Sequence, residues 1–233
     1  MRLEPRDNTA VVKRLIVVAS AFAVSALALA QQTFTFGRSY KVGDIDRYSV
    51  DATFEGSSAS GMTFTVLEKV TRVYRNGDAD IKTSLVDFET SLGPAKGGVL
   101  PSYSSPQTSR VNRFGEAASA RSEAPAQFAL SLMAATGLHG KIEVSETLTF
   151  DLPDASDSKF HAKGTTRLVE IKSGIAKCHV VLNYTEKAVK GANHFEGDFW
   201  LAVATSKLIS MEGKYTSDDA DGPNFKLVVA RKD

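Results

Sequence analysis

The sequence predicts a mainly β domain of the α+β class: a strongly curved antiparallel sheet or half-open barrel with one helix across it. Three observations lead there. Apolar and polar residues alternate with a period of two through most of the chain. Short Gly- and Asn-bearing turns separate the alternating runs at hairpin spacing. Only one segment carries helical periodicity together with end signals.

The alternation is clearest in residues 48–55, where Tyr48, Val50, Ala52 and Phe54 share one face of a strand and their neighbours the other. Residues 142–152 repeat it as a single strand, with Ile142, Val144, Leu148, Phe150 and Leu152 on the apolar side. Further strands are expected at 62–75, 79–89, 160–172, 175–186, 195–204, 207–216 and 224–231. Asn76-Gly77-Asp78, Ser173-Gly174 and Ala220 to Pro223 mark turns between them. One wet face per strand is the signature of an antiparallel sheet. Strands 175–184 and 195–204 are apolar on both faces, Trp200 and Ala202 opposing Phe199 and Leu201, so a cover over the second face is expected there.

The helix runs over 122–137. Ser122 caps it, Glu123 and Pro125 suit its first turn, Phe128, Leu132 and Met133 form its stripe, and Gly137 ends it. Before it, residues from about 93 to 121 read as a long loop with one short strand, Arg110 to Phe114. Residues 71–89 and 166–186 both read as strand, Gly turn, strand, a weak internal repeat.

Residues 1–30 read as a signal peptide. Lys13-Arg14 precede an uncharged run, Leu15 to Ala30, that ends Ala28-Leu29-Ala30, the small-x-small pattern of a cleavage site. The run is shorter than the ~20 residues a spanning helix needs. No Cys follows Ala30, so no lipid anchor is expected, and an uncleaved N-terminal anchor is the alternative. The remainder, 31–233, is expected to be one antiparallel β domain with a loop and helix insertion at about 93–138. It would be exported, periplasmic or extracellular.

Without the leader the chain holds 24 basic and 25 acidic residues. That balance reads as an even mixture with no electrostatic footprint for nucleic acid or an anionic membrane. A lone cysteine, Cys178, excludes an internal disulfide, so the fold must rest on packing. No cofactor or metal is expected. His139, His161, His179 and His194 show no ligand spacing, although His161 and His179 would meet if their strands are neighbours. Cys178 alternates away from His179 and reads as an inert buried thiol. Ser156-x-x-Lys159 falls in a loop and lacks the helix its catalytic use requires. Asp218 to Gly222 reads as a solvated acidic turn, because Val228 stands where a calcium loop needs Glu.

Glu146 interrupts the apolar row of 142–152, so a carboxylate facing the core is expected. It is the candidate general base, were the protein a secreted hydrolase. The candidate ligand-lining residues are Glu146, Phe150, Trp200, Phe128 and Leu132, with an apolar small molecule or lipid as the expected partner.

The leader, the opening Tyr40-Lys41-Val42-Gly43-Asp44, the long meander, one mid-chain helix and the last hairpin through Phe199 to Tyr215 resemble exported bacterial proteins of uncharacterised families. Their layout is similar to that of the periplasmic lipoprotein carriers, whose fold is a curved, unclosed barrel with helices across its mouth. The resemblance covers most of the chain after the leader and is one of layout. It implies a cavity for acyl chains and carries over no functional residue. An apolar-ligand binding protein of the envelope is the first expectation. A structural or assembly module and a hydrolase are the alternatives.

Overall fold

The structure, a computed structural model, describes residues 32–55, 60–90, 106–115, 138–152, 160–186, 192–219 and 224–232. The expected leader and the expected helix 122–137, with Phe128 and Leu132, lie outside these residues. No helix occurs among the described residues.

Among the described residues, twelve strands form two antiparallel sheets. In chain order they are β1 (Thr33–Phe36), β2 (Ile45–Phe54), β3 (Gly61–Val73), β4 (Ala79–Thr90), β5 (Gln107–Val111) and β6 (Gly140–Glu143). Then follow β7 (Thr147–Leu152), β8 (Phe160–Lys172), β9 (Ile175–Glu186), β10 (Asn193–Ala202), β11 (Leu208–Ser217) and β12 (Phe225–Lys232). Ten of them make one sheet in the order β5-β4-β3-β2-β12-β11-β10-β9-β8-β7, and β1 pairs with β6 in a separate ribbon. The last strand thus lies beside β2 in the middle of the sheet. The chain runs out to one edge through β3, β4 and β5 and returns from the other edge through β7 to β12. The sheet is not closed into a barrel: β5 and β7 are its two edges.

The expected alternation fixes each register. Tyr48, Val50 and Ala52 of β2 are buried and lie opposite Arg231, Val229 and Leu227 of β12. Both expected hairpins form, each one strand in from an edge. Ser173 and Gly174 take φ of 51° and 77°, the double left-handed turn whose twist suits a two-residue hairpin. In the β3–β4 turn only Gly77 has positive φ, 88°.

Two expectations are corrected. Residues 142–152 are not one strand. Ser145, at φ 73°, turns the chain, so Ile142 reaches the core from the ribbon and Phe150 from the large sheet. The period-two phase survives the turn, which is why the break is silent in the sequence. The short strand near 110 lies earlier, at 107–111. The helix 122–137, expected to cover the even-numbered face of β10, lies outside the described residues. Trp200 is half-buried on that face, with the Lys177 ammonium 5.4 Å from its ring centroid, an amphipathic stem on an aromatic face.

The core lies on one face of the large sheet. The β1–β6 ribbon crosses one end of that face and inserts Phe34, Phe36 and Ile142, with Leu138 beside them, all 2% exposed or less. Phe36 stacks on Phe114, 6.4 Å between centroids, and Phe114 in turn lies 5.0 Å from His139. A smaller core of Val70, Ala79, Ile81 and Val111 sits under β3, β4 and β5.

Candidate functional site

Two parts of that core-bearing face concentrate chemistry, one at each end of the strands. The near end is where β2 begins and β12 finishes. There the inward-facing register of β2 continues past Tyr48 to Asp46, which is 4% exposed. Asp46 Oδ2 accepts from Arg38 Nη2 at 2.8 Å. Its Oδ1 receives Lys207 Nζ at 2.9 Å and Arg231 Nη2 at 3.1 Å. Glu68 of β3 is also buried and lies directly opposite Asp46. Arg38, eight residues away, and two cations more than 150 residues away therefore meet on one carboxylate. A buried carboxylate is tolerable only with such compensation.

Arg38 follows β1, and its amide donates to the Arg113 carbonyl at 2.8 Å. Burial works against its charge, but Tyr48, Tyr40, Glu68 and Asp46 outweigh that and hold its pKa above the usual value. Its Nε and Nη1 and the Tyr48 hydroxyl are buried with no hydrogen-bond partner among the described residues. Burial pushes the Tyr40 phenol up to about 12 and the Tyr48 phenol higher. The cluster locks the ribbon to the sheet. Asp46 and Glu68 went unnoticed in the sequence although both are in phase with buried neighbours, Tyr48 and Val66. Extending each alternating row by one step would have found them.

The far end carries an aromatic row that only register creates. Phe54 of β2 lies opposite Phe225 of β12, Phe225 opposite Tyr215 of β11, and Tyr215 opposite Phe195 of β10. The row continues through Leu182 of β9 and Gly164 of β8 to Phe150 of β7. Phe54 and Phe225 have centroids 5.6 Å apart, and Phe225 and Tyr215 stack at 4.5 Å and 17°. The Tyr215 hydroxyl donates to Asn193 Oδ1 at 2.7 Å. Two glycines admit the rings: a Cβ on Gly213 would lie 2.4 Å from Phe195 Cζ, and one on Gly164 2.9 Å from Phe150 Cζ. Phe150 and Phe195 are buried, whereas Phe54, Tyr215 and Phe225 are only half-buried.

Of the expected lining residues, Phe150 joins this row. Trp200 is on the opposite, outer face and cannot share a site with it. Glu146 does not face the core: it is exposed in the β6–β7 turn, and its Oε2 accepts from the Glu143 amide at 2.7 Å. The turn explains the apparent polar interruption.

The other expected groups are dispersed. Cys178 is fully buried, and burial raises its thiol to about 12, as an inert core thiol requires. His161 pairs with Thr185 and His179 with Arg167, so the two histidines are far apart on neighbouring strands. On the outer face His179 Nδ1 lies 2.8 Å from Asp198 Oδ1, and Lys177 Nζ is 2.9 Å from Asp198 Oδ2. Partial burial pushes the Asp198 carboxyl up, but these two partners outweigh it and hold the group below its usual value. No group of three or more His, Cys, Asp or Glu suited to a metal occurs among the described residues.

Among the described residues charge is unevenly placed. The row Val50–Val229–Met211–Phe199–Cys178–Leu168, extended through Phe64, divides the sheet. The described residues on the near side, loops included, hold 14 basic and 6 acidic side chains. Those on the row and beyond it hold 4 basic and 11 acidic, leaving only Lys141, Glu143 and Glu146 on and beside the ribbon. Balanced composition conceals a dipole along the strands.

No family model matches the chain, and no curated protein does. Among solved structures it is similar to a presumptive exported protein with a YMCC-like fold from Bacteroides fragilis, at 9% identity over 85% of this chain and 100% of that one, with a TM-score of 0.32. Likeness at that level carries neither architecture nor activity to this chain.

Proposed function

We propose that the protein is an exported, non-enzymatic binding protein that holds an apolar ligand, a lipid or acyl chain, against the far end of its core-bearing face. The aromatic row supports this reading. At the near end the ribbon supplies Phe34, Phe36 and Ile142 to bury the sheet. At the far end Phe54, Tyr215 and Phe225 stay half-buried although they are large, stacked and turned inward. Inward-facing aromatic surface left partly wet is what an apolar ligand would cover. Export rests on the leader pattern of residues 1–30. The alternative of an envelope assembly module has the two open sheet edges, β5 and β7, in its favour. The hydrolase alternative finds little in Glu146, whose carboxylate caps its own turn.

Native mass spectrometry of protein purified from its own host provides the test. A co-purified apolar species is expected. It should be lost in Ala52→Trp, which projects a large ring from β2 beside the row. A ligand-free protein that also fails to take up a fluorescent fatty acid would overturn the reading.

A further inference from the structure

The near end combines excess positive charge with exposed aliphatic side chains. Val42, in the turn before β2, is 60% exposed, and Ile45, the first residue of β2, is 56% exposed; they are the two most exposed of the large hydrophobic side chains. Ile45 lies directly opposite Lys69 of β3, and Lys69 opposite Lys82 of β4. Arg47, two residues on and on the same outer face as Ile45, lies opposite Lys232 of β12. Lys41 adjoins Val42. All five cations are exposed, and none forms an ion pair among the described residues.

Two of these juxtapositions cost stability. Like charges directly opposite on neighbouring strands repel, and here Lys69–Lys82 and Arg47–Lys232 do so side by side. A third such pair, Lys214–Lys226, lies at the far end, where Glu55 relieves it at 2.9 Å from Lys214. The near-end pairs have no such relief among the described residues. An anionic surface outside the molecule would supply it.

We propose that this outer corner, formed by the ends of β12, β2, β3 and β4, docks the protein on an anionic phospholipid bilayer. The cations would sit at headgroup level and the side chains of Val42 and Ile45 would enter the interfacial layer. The aliphatic tips select a bilayer over a polyanion: a phosphate or sulfate polymer rewards the lysines but gains nothing from two exposed aliphatic side chains. The net charge of the near end also orients the molecule, with its acidic end pointing away from the membrane. This docking goes beyond ligand holding and is independent of it, because it uses the outer face of the opposite end.

Co-sedimentation with vesicles tests it. The full protein is mixed with vesicles of phosphatidylcholine alone and with vesicles that also contain phosphatidylglycerol, at low and high salt. Binding is expected only with phosphatidylglycerol and should weaken steeply with salt. Lys69→Gln with Lys82→Gln should weaken it about 25-fold, at about fivefold for each charge removed. This variant removes a repulsion, so its thermal midpoint should hold or rise, which separates loss of docking from loss of fold. Val42→Ser with Ile45→Ser should weaken vesicle binding by roughly tenfold without changing its salt dependence. Equal binding to both vesicle types, or to neither, would overturn the proposal. So would binding to heparin or DNA that is insensitive to the Val42 and Ile45 substitutions and is not matched by vesicle binding. A ligand-free protein that still docks would remove only the carrier reading, and a lipid-loaded protein that ignores the vesicles would remove only the docking.

Discussion

The two ends of one sheet solve the same problem in opposite ways. At the near end, two carboxylates and Arg38 are buried together and the ribbon closes over them, so the core face is filled by the chain itself. At the far end the inward side carries a row of aromatic rings, yet three of them keep contact with solvent. A sheet of uniform strands need not have a uniform interior. What differs is the second layer, present as β1 and β6 at one end only among the described residues.

The largest expected effects are at the near end. Asp46→Ala leaves the buried Arg38, with the more exposed Lys207 and Arg231, around a vacated position, and a loss of about 3 kcal/mol is expected, chiefly from the buried guanidinium left unpaired. Urea unfolding measures it; a loss under about 1 kcal/mol would mean that water already compensates these groups. A paired comparison joins that end to the other. Phe36→Ala should cost about 3–5 kcal/mol, as a fully buried ring does, and Phe54→Ala roughly half as much because its ring is already partly wet. Equal costs would make the far end an ordinary tight core and remove the room for a ligand.

The smallest effect is a titration. Burial raises Cys178 and Tyr40 to about 12 and Tyr48 further, whereas the unfolded chain ionises such groups near 9.0 for the thiol and 10.0 for the phenols. The folded state thus holds protons that the unfolded state releases. Stability from these groups is complete below about pH 9 and falls as pH rises toward 12. Thermal midpoints across that range follow it. Cys178→Ala with Tyr48→Phe should flatten the decline, and an unchanged slope would assign it to other groups.

Much of this fold was legible because a half-buried strand writes itself in a period of two. Residues 48–54, 160–172 and 175–186 needed only that rule and their turns. The failures share one cause: the rule reports phase, not partners. Residues 142–152 kept phase across the Ser145 turn and so hid a change of sheet. Glu146 looked inward because a turn residue happened to fall in step. The β1 strand, four residues after a polar start, was too short to read. Asp46 was passed over because the apolar row was taken to begin at its first apolar member.

The sequence by itself determined the class of structure, the strands and most of their faces, the absence of a disulfide and the leader pattern that points to export. These are local properties, decided by side-chain alternation, turn chemistry and composition over a few residues. Only the tertiary structure decided that β12 inserts beside β2, that Phe54, Phe225, Tyr215, Phe195 and Phe150 form one row, that Asp46 gathers Lys207 and Arg231 as well as Arg38, and that the described residues are basic at one end and acidic at the other. Each of these is set by strand order and register. Register is fixed by cross-strand pairing between segments up to 185 residues apart, as Arg47 and Lys232 are, and no window of sequence contains both.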